Sequence, residues 1–373
     1  MSGPALHPLH AALLERWRGA PRPRDGWLAR LVAEALRGDG LVLRLSERRV
    51  VLRMQNERGE WVLKLDAPRR HWEGLRRTLR AGPALREARL AARLAGAISG
   101  AAQPALGEEP AAGFGVFARP WIEGVSAEAV WTEEAERIGA GLARLHAAGW
   151  SDPDLSAADL ILPAGGTLLP LDLGHARVER RGMTSAARRR ADLVRLLASV
   201  PERKARDAAA GLLAGYARLT PPGVKAAEVL REAHALRAGL LRRQSRRCLR
   251  ECRDFEVTPD GVRRRESASG YQVELSCGSA KRAREAFRRL YELELHGLRA
   301  ARPAELLRGG RIRVMLPAEK EVAAGESEAL LDLAADFLRA GFALGMERPE
   351  QFRRDGEGRV WMMDPQAVIS SLH

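Results

Sequence analysis

The sequence predicts an α+β chain in two parts, a two-lobed domain followed by a smaller module that echoes it. Three observations predict this. Leu41 to Leu45, Val50 to Met54 and Trp61 to Leu65 are short apolar runs with turns at Ser46-Glu47-Arg48 and Asn56-Glu57-Arg58-Gly59. They read as a three-strand meander ahead of a helix. From Trp150 to Arg177 a loop rich in Asp runs into two apolar runs around Pro163-Ala164-Gly165-Gly166-Thr167, the pattern of a hairpin. A helix, a hairpin turn and a strand ending in Asp364 then recur 192 residues on.

The 373 residues are enough for two domains with a substantial core. Net charge is +14 and the isoelectric point about 10.8, which points to acidic partners: nucleotide phosphates, nucleic acid or an anionic membrane surface. Nearly all the basic residues are Arg, so the five lysines are informative by their rarity. Three cysteines, Cys248, Cys252 and Cys277, argue against a disulfide framework and for a reducing compartment. Cys248 and Cys252 share a helix face with no second ligand pair, so they read as buried thiols rather than metal ligands. No signal peptide is visible and no run of about 18 apolar residues spans a membrane. A cytoplasmic location, with peripheral attachment to the inner membrane, is the expectation.

Residues 1–40 read as an N-terminal extension, partly loose over residues 1–25 and then a short helix from Trp27 to Leu36 stopped by Gly38-Asp39-Gly40. The first turn of the meander has no glycine, so phosphate contacts there fall to Arg48, Arg49 or backbone amides. Lys64 lies inside the apolar strand Trp61-Val62-Leu63-Lys64-Leu65. Such a lysine needs either a solvent-facing side or a partner. Pro83 to Ala97 is helical in period, with Leu85, Leu90 and Leu94 on one face. Glu87 near its start is the candidate partner of Lys64, and Glu73 is its rival. Gly113 to Ile122 is an apolar strand leading into Glu123-Gly124. Glu134 to Ala148 is an amphipathic helix closed by Gly149.

The acids Asp154, Asp159 and Asp172 follow. Surface loops are rich in Asp, so the stretch also reads as an ordinary loop and hairpin. Asp154 and Asp159 are, however, five apart, as are the Asp and Asn of a kinase catalytic loop, and Asp172 opens Asp-Leu-Gly where a kinase has Asp-Phe-Gly.

With Val62-Leu63-Lys64, Leu85-Arg86-Glu87, the His146 helix, Asp154-Leu155, Asp159-Leu160-Ile161-Leu162 and Leu171-Asp172-Leu173-Gly174-His175-Ala176-Arg177 in this order, the chain resembles the lipopolysaccharide kinase (Kdo/WaaP) family of the protein-kinase-like superfamily. Arg188 to Leu193, Gly211 to Tyr216 and the Arg-rich helix from Leu236 to Arg250 extend the likeness, which covers roughly residues 41–250. The resemblance implies a kinase-like domain over 41–250, with a small lobe at 41–118 and a large lobe at 119–250. It implies ATP and Mg2+ as cofactors and phosphorylation of a sugar hydroxyl of the lipopolysaccharide inner core. Asp154 would be the acceptor-side base, Asp159 and Asp172 the metal ligands, and Lys64, set by Glu87, the phosphate holder. The strand before Glu123 would be the hinge that meets adenine. The partner implied is an anionic glycolipid at the inner leaflet, with no nucleic acid. Two departures stand out: Asp152 replaces the loop His, and Asp159 stands where kinases carry a metal-binding Asn.

Residues 251–373 read as a degenerate, non-catalytic kinase-like module. The 192-residue shift puts Asp364 on Asp172, Gly341 on Gly149, Gln351 on Asp159 and Met346 on Asp154, with Glu274 near the lysine position. The alternative function is a catalytically weak pseudokinase that scaffolds or regulates envelope biosynthesis.

Overall fold

The computed structural model describes residues 8–68, 82–97, 105–111, 113–179, 182–220, 225–252, 254–265, 271–316, 320–321, 327–340, 342–345, 351–355, 357 and 359–371. Glu73, Gly341 and Met346 lie outside them. The chain divides into two compact units, 1–200 with 204–230 and 201–203 with 231–373.

The first unit opens with two helices, α1 (Pro8–Arg18) and α2 (Gly26–Arg37). Asp25 caps α2 by accepting from the N–H groups of Trp27 and Leu28, and Gly38 ends it in the left-handed region at φ 95°. Strands β1 (Leu41–Leu45), β2 (Arg49–Asn56) and β3 (Gly59–Asp66) follow, then α3 (Pro83–Ala97), β4 (Leu106–Ala111) and β5 (Phe114–Pro120). They form one antiparallel sheet in the order β1-β2-β3-β5-β4.

Side chains alternate across a strand. Val50, Leu52, Met54, Leu63 and Leu65 go to one face, where they share a core with Leu13, Trp17, Trp27, Leu28 and Leu31. The reading of residues 1–25 as partly loose is corrected for α1: Leu13 and Trp17 are buried, and each such side chain contributes about 1.5–3 kcal/mol. The N-terminal segment covers the sheet rather than trailing from it. The opposite parity, Val51, Val62 and Lys64, faces a pocket.

Beyond β6 (Val125–Ser126), α4 (Ala135–Ala147) buries Ile138, Leu142 and Leu145. It leads to β7 (Trp150–Ser151), the hairpin β8 (Leu160–Leu162) and β9 (Leu169–Pro170), and β10 (Arg177–Val178), which pairs back on β7. Helices α5 (Ala186–Ala198), α6 (Glu202–Ala217) and α7 (Ala226–Ser245) follow. α4 and α6 approach closely because of glycine. A Cβ on Gly139 would sit 1.9 Å from the Leu212 carbonyl, and one on Gly215 would sit 2.0 Å from that of Glu136.

The second unit has a five-stranded antiparallel sheet of β11 (Phe255–Thr258), β12 (Gly261–Arg264), β13 (Tyr271–Ser276), β14 (Arg302–Leu307) and β15 (Arg311–Leu316), with α8 (Ala280–Leu295) between β13 and β14. Its order is β11-β12-β14-β15-β13. Then come β16 (Lys320–Glu321), α9 (Ser327–Arg339), β17 (Phe342–Leu344), the hairpin β18 (Phe352–Arg354) and β19 (Val360–Met362), and β20 (Val368–Ser371), which pairs on β17. Phe255, Phe287, Leu290, Phe337, Phe352 and Met362 are among its core residues. Cys248 and Cys277 are buried free thiols. Among the described residues, no helix is long and apolar enough to cross a membrane.

Candidate functional site

Lys64 is buried, and its ammonium donates to Glu87 Oε2 at 2.8 Å and to Asp172 Oδ1 at 3.1 Å. Three separate parts of the chain thus meet at one nitrogen. β3 supplies Lys64, the start of α3 supplies Glu87, and the end of the hairpin supplies Asp172. Arg49 holds Asp66 through two hydrogen bonds of 2.8 and 3.0 Å and lies 3.5 Å from Glu87 Oε1. Glu87 is almost fully buried, at 1% exposure, so its charge needs these cations.

The hairpin register brings Asp159 to Asp172. Leu160 pairs with Pro170, so Asp159 lies opposite Leu171, whose N–H donates to the Asp159 carbonyl at 2.7 Å. The two acids flank the open end of the hairpin, away from its turn, and line one cavity of about 210 Å3. Leu43, Val51, Val62, Ile161 and Leu171 give it apolar walls, while Arg44, Arg49, Lys64 and Arg119 bring cations. Trp121 and Ile122, just past β5, complete its rim. Arg48 is not among the lining residues.

The carboxylates differ in state. Burial pushes Asp172 up, but the Lys64 charge, the Gly174 N–H and Arg49 outweigh it and hold the group at about 2. Asp159 shifts upward, first from burial and then from the charge of Asp172. A hard cation between them would relieve that repulsion, and magnesium is held in such sites by one or two carboxylates together with substrate phosphates and water. The residues present therefore fit a magnesium–nucleotide pair. No group of three potential metal-binding side chains occurs among the described residues, so a magnesium ion held here would take its other oxygens from water and phosphates.

The loop carrying Asp154 is braced from below. His146, at the end of α4, is fully buried, with Nδ1 2.6 Å from the Tyr216 hydroxyl and Nε2 3.1 Å from Asp192 Oδ2. With Asp192 as a carboxylate, Nε2–H donates and Nδ1 accepts from Tyr216, an assignment made from the network. Asp192 also accepts the Asp152 N–H at 3.2 Å, and Asp152 accepts the Asp154 N–H at 2.8 Å. Asp152 is buried; burial raises it to about 6 despite the Asp154 N–H. Asp154 itself is exposed. Asp152 thus braces the loop, and Asp154 is the acid left open to an incoming group.

Three residues of this site carried no assigned role in the sequence reading. Asp192 and Tyr216 lie in segments noted for resemblance, but their joint hold on His146 is a long-range contact. Arg119 did leave a signal, a charge inside the apolar strand Phe114–Pro120, of the same kind that singles out Lys64.

In the second unit Glu274 does not take the lysine position. It lies on the edge strand β13, ion-paired to Arg311 at 2.8 Å and to Arg313 at 3.7 Å. The strand between β12 and β15 is β14, and there Glu305 sits between Arg263, at 2.7 Å, and Arg313. Asp364 accepts from the Gln366 N–H at 2.9 Å and caps a short 3-10 turn.

No family model and no curated protein matches the chain. Among solved structures it is similar in part to WbdD. One WbdD crystal structure is 17% identical with a TM-score of 0.26 and covers 36% of each chain. WbdD described as a bifunctional kinase-methyltransferase is 13% identical, TM-score 0.27, over 36% of this chain and 31% of that one. WbdD with the kinase inhibitor LY294002 is 14% identical, TM-score 0.27, over 40% and 35%. The chain spans about a third of the length of these structures.

Proposed function

We propose that the first unit transfers a phosphoryl group from a magnesium–nucleoside triphosphate to an alcohol. ATP is the donor that the kinase resemblance implies, and a sugar hydroxyl of an anionic glycolipid, a lipopolysaccharide core heptose or Kdo, is the acceptor. The observation that carries this reading is Lys64 bound at once to Glu87 and Asp172 in a cavity that also holds Asp159. A lysine set by a helix glutamate beside two carboxylates is the arrangement that phosphoryl transfer requires.

In the reaction the acceptor oxygen bonds to the γ-phosphorus, the bridging bond to the β-phosphate breaks, and a nucleoside diphosphate leaves. The acceptor's proton passes to Asp154. Lys64 orients the phosphates, and Asp159 and Asp172 would hold the magnesium, which supplies charge neutralisation along the phosphates when bound. Most of the acceleration comes from positioning and charge. The net charge of +14 favours an acceptor carrying phosphates at an anionic inner leaflet. The second unit, with Asp364 engaged in a turn and no lysine at its sheet centre, is a non-catalytic companion in this reading. The alternative, a pseudokinase scaffold, draws on one observation: Asp159 stands where kinases use a neutral amide, and burial, then the charge of Asp172, already raises it.

Titration calorimetry with magnesium and triphosphate, on wild type, Lys64→Ala and Asp172→Asn, tests the site. Loss of affinity in both folded variants is expected, and unchanged affinity in both would remove the assignment. Turnover of a glycolipid extract then separates enzyme from scaffold.

A further inference from the structure

Arg119, like Arg44, lines the cavity and has no role in the phosphoryl-transfer reading. Its Nε and Nη1 are buried and have no hydrogen-bond partner among the described residues. Burial lowers it to about 10, with the charges of Glu87 and Asp172 opposing that fall. Glu87 Oε2 and Asp172 Oδ1 accept from Lys64, and Glu87 Oε1, 3.5 Å from Arg49, is itself buried without a hydrogen-bond partner. A buried donor left unpaired keeps the full penalty of its lost hydration. An arginine offers donors only. The side chain is therefore set to receive a ligand's acceptor atom.

The sheet register says which part of a nucleotide that is. Phe117 lies opposite Lys64, and Arg119 lies opposite Val62. Arg119 is thus two residues, about 6–7 Å, along the strand from the phosphate-holding level. It is on the same face, toward Trp121 and Ile122. Val51, Val62, Ile161 and Leu171 line the same cavity and form the apolar walls between which a planar base fits. Both purines offer N7 as an acceptor, and they differ at position 6, where guanine presents the O6 acceptor and adenine an amino donor.

We infer that Arg119 reads the base, and that the cavity prefers a 6-oxopurine triphosphate to ATP. This rests on the nucleotide reading above and revises its donor. The 6-carbonyl satisfies the buried guanidinium, while the adenine amino group would face it donor to donor.

The test is calorimetric binding of GTP, ITP and ATP with magnesium to the full chain, as wild type, Arg119→Met and Arg119→Lys. ITP has the 6-oxo group without the guanine 2-amino group, so it isolates position 6. Wild type is expected to bind GTP and ITP ~10–100-fold more tightly than ATP, the range of one base-edge contact. Arg119→Met should abolish that ratio, chiefly by tightening ATP, and Arg119→Lys should keep part of it. Equal or tighter binding of ATP by wild type overturns the inference, as does an unchanged ratio in Arg119→Met. An equal loss of all three ligands in that variant also overturns it, since Arg119 would then act at the phosphates. If wild type binds no triphosphate, the nucleotide reading itself falls, and this inference with it.

Discussion

The two units share a backbone plan and differ in what stands at its centre. In each, an antiparallel five-stranded sheet is followed by a helix, a short strand, a hairpin, an acid and a strand that pairs back. The second set keeps the 192-residue spacing: α4 is Ala135–Ala147 and α9 is Ser327–Arg339, and β8 is Leu160–Leu162 and β18 is Phe352–Arg354. The sheets are threaded differently. In the first, the strand before the helix, β3, is central and carries Lys64; in the second, that strand, β13, is the edge, and β14 after the helix is central. The central charge is inverted as a result. Lys64 sits between two carboxylates, and Glu305 sits between two arginines. The hairpin acids follow: Asp172 meets an ammonium, and Asp364 meets the backbone of its own turn. A recurring frame therefore does not carry the chemistry; the identity of the residue at the sheet centre does.

The largest expected effect that sharpens this contrast is on turnover. Asp154→Ala removes the proposed acceptor-side base and should cost ~10²–10⁴ in rate while leaving triphosphate binding nearly intact. Asp172→Asn should cost ~10²–10³ through lost charge stabilisation. Asp364→Asn should leave turnover unchanged. Steady-state phosphotransfer to a glycolipid acceptor measures all three, and a loss in Asp364→Asn matching that in Asp172→Asn would break the comparison.

The next effect is on stability. Lys64→Met leaves the buried Glu87 with Arg49 alone, 3.5 Å away, and should cost up to about 3–5 kcal/mol, and adding Glu87→Gln should recover much of it. Glu305 has partners that are partly exposed, so Glu305→Gln should change stability by less than about 1 kcal/mol. Urea melts of the three variants decide whether the inverted centre is as dependent on its charges as the first.

The smallest effect is on pH dependence, within the first unit. Asp152 is raised from 3.8 to about 6, so the folded chain holds a proton there that the unfolded chain has lost. Its contribution to stability falls as pH rises from about 4 to 6. Asp172 is lowered to about 2, so its contribution is present above about pH 4 and is lost as pH falls toward 2. Asp152→Asn should remove the decline between pH 4 and 6, and Asp172→Asn should flatten the acid limb. Denaturant midpoints taken at half-unit steps of pH read both slopes, and an unaltered profile in Asp152→Asn would mean that its burial carries no linkage.

Much of the first unit was legible because its signals are local. The predicted strands Leu41–Leu45, Val50–Met54 and Trp61–Leu65 lie within β1, β2 and β3, and the helix Pro83–Ala97 is α3. A hairpin is encoded by its own turn, so Asp159 and Asp172 could be placed together from the residues between them. α1 was missed because Pro and Arg dominate its flanks, and only its contact with the sheet reveals Leu13 and Trp17 as core.

The sequence by itself determined the strand alternation that sends Lys64 to the face opposite Leu63 and Leu65, the hairpin that joins two acids, and the repeat 192 residues on. Each follows from the period of a single element or the turn that closes it. Only the tertiary structure decided that Glu87 meets Lys64, that His146 ties Tyr216 and Asp192 beneath the loop, that Nε and Nη1 of Arg119 are buried with no hydrogen-bond partner among the described residues, and that β14 rather than β13 is central in the second sheet. Those outcomes depend on which distant elements pack together, and the energy that selects them is shared across the core rather than written in any one segment.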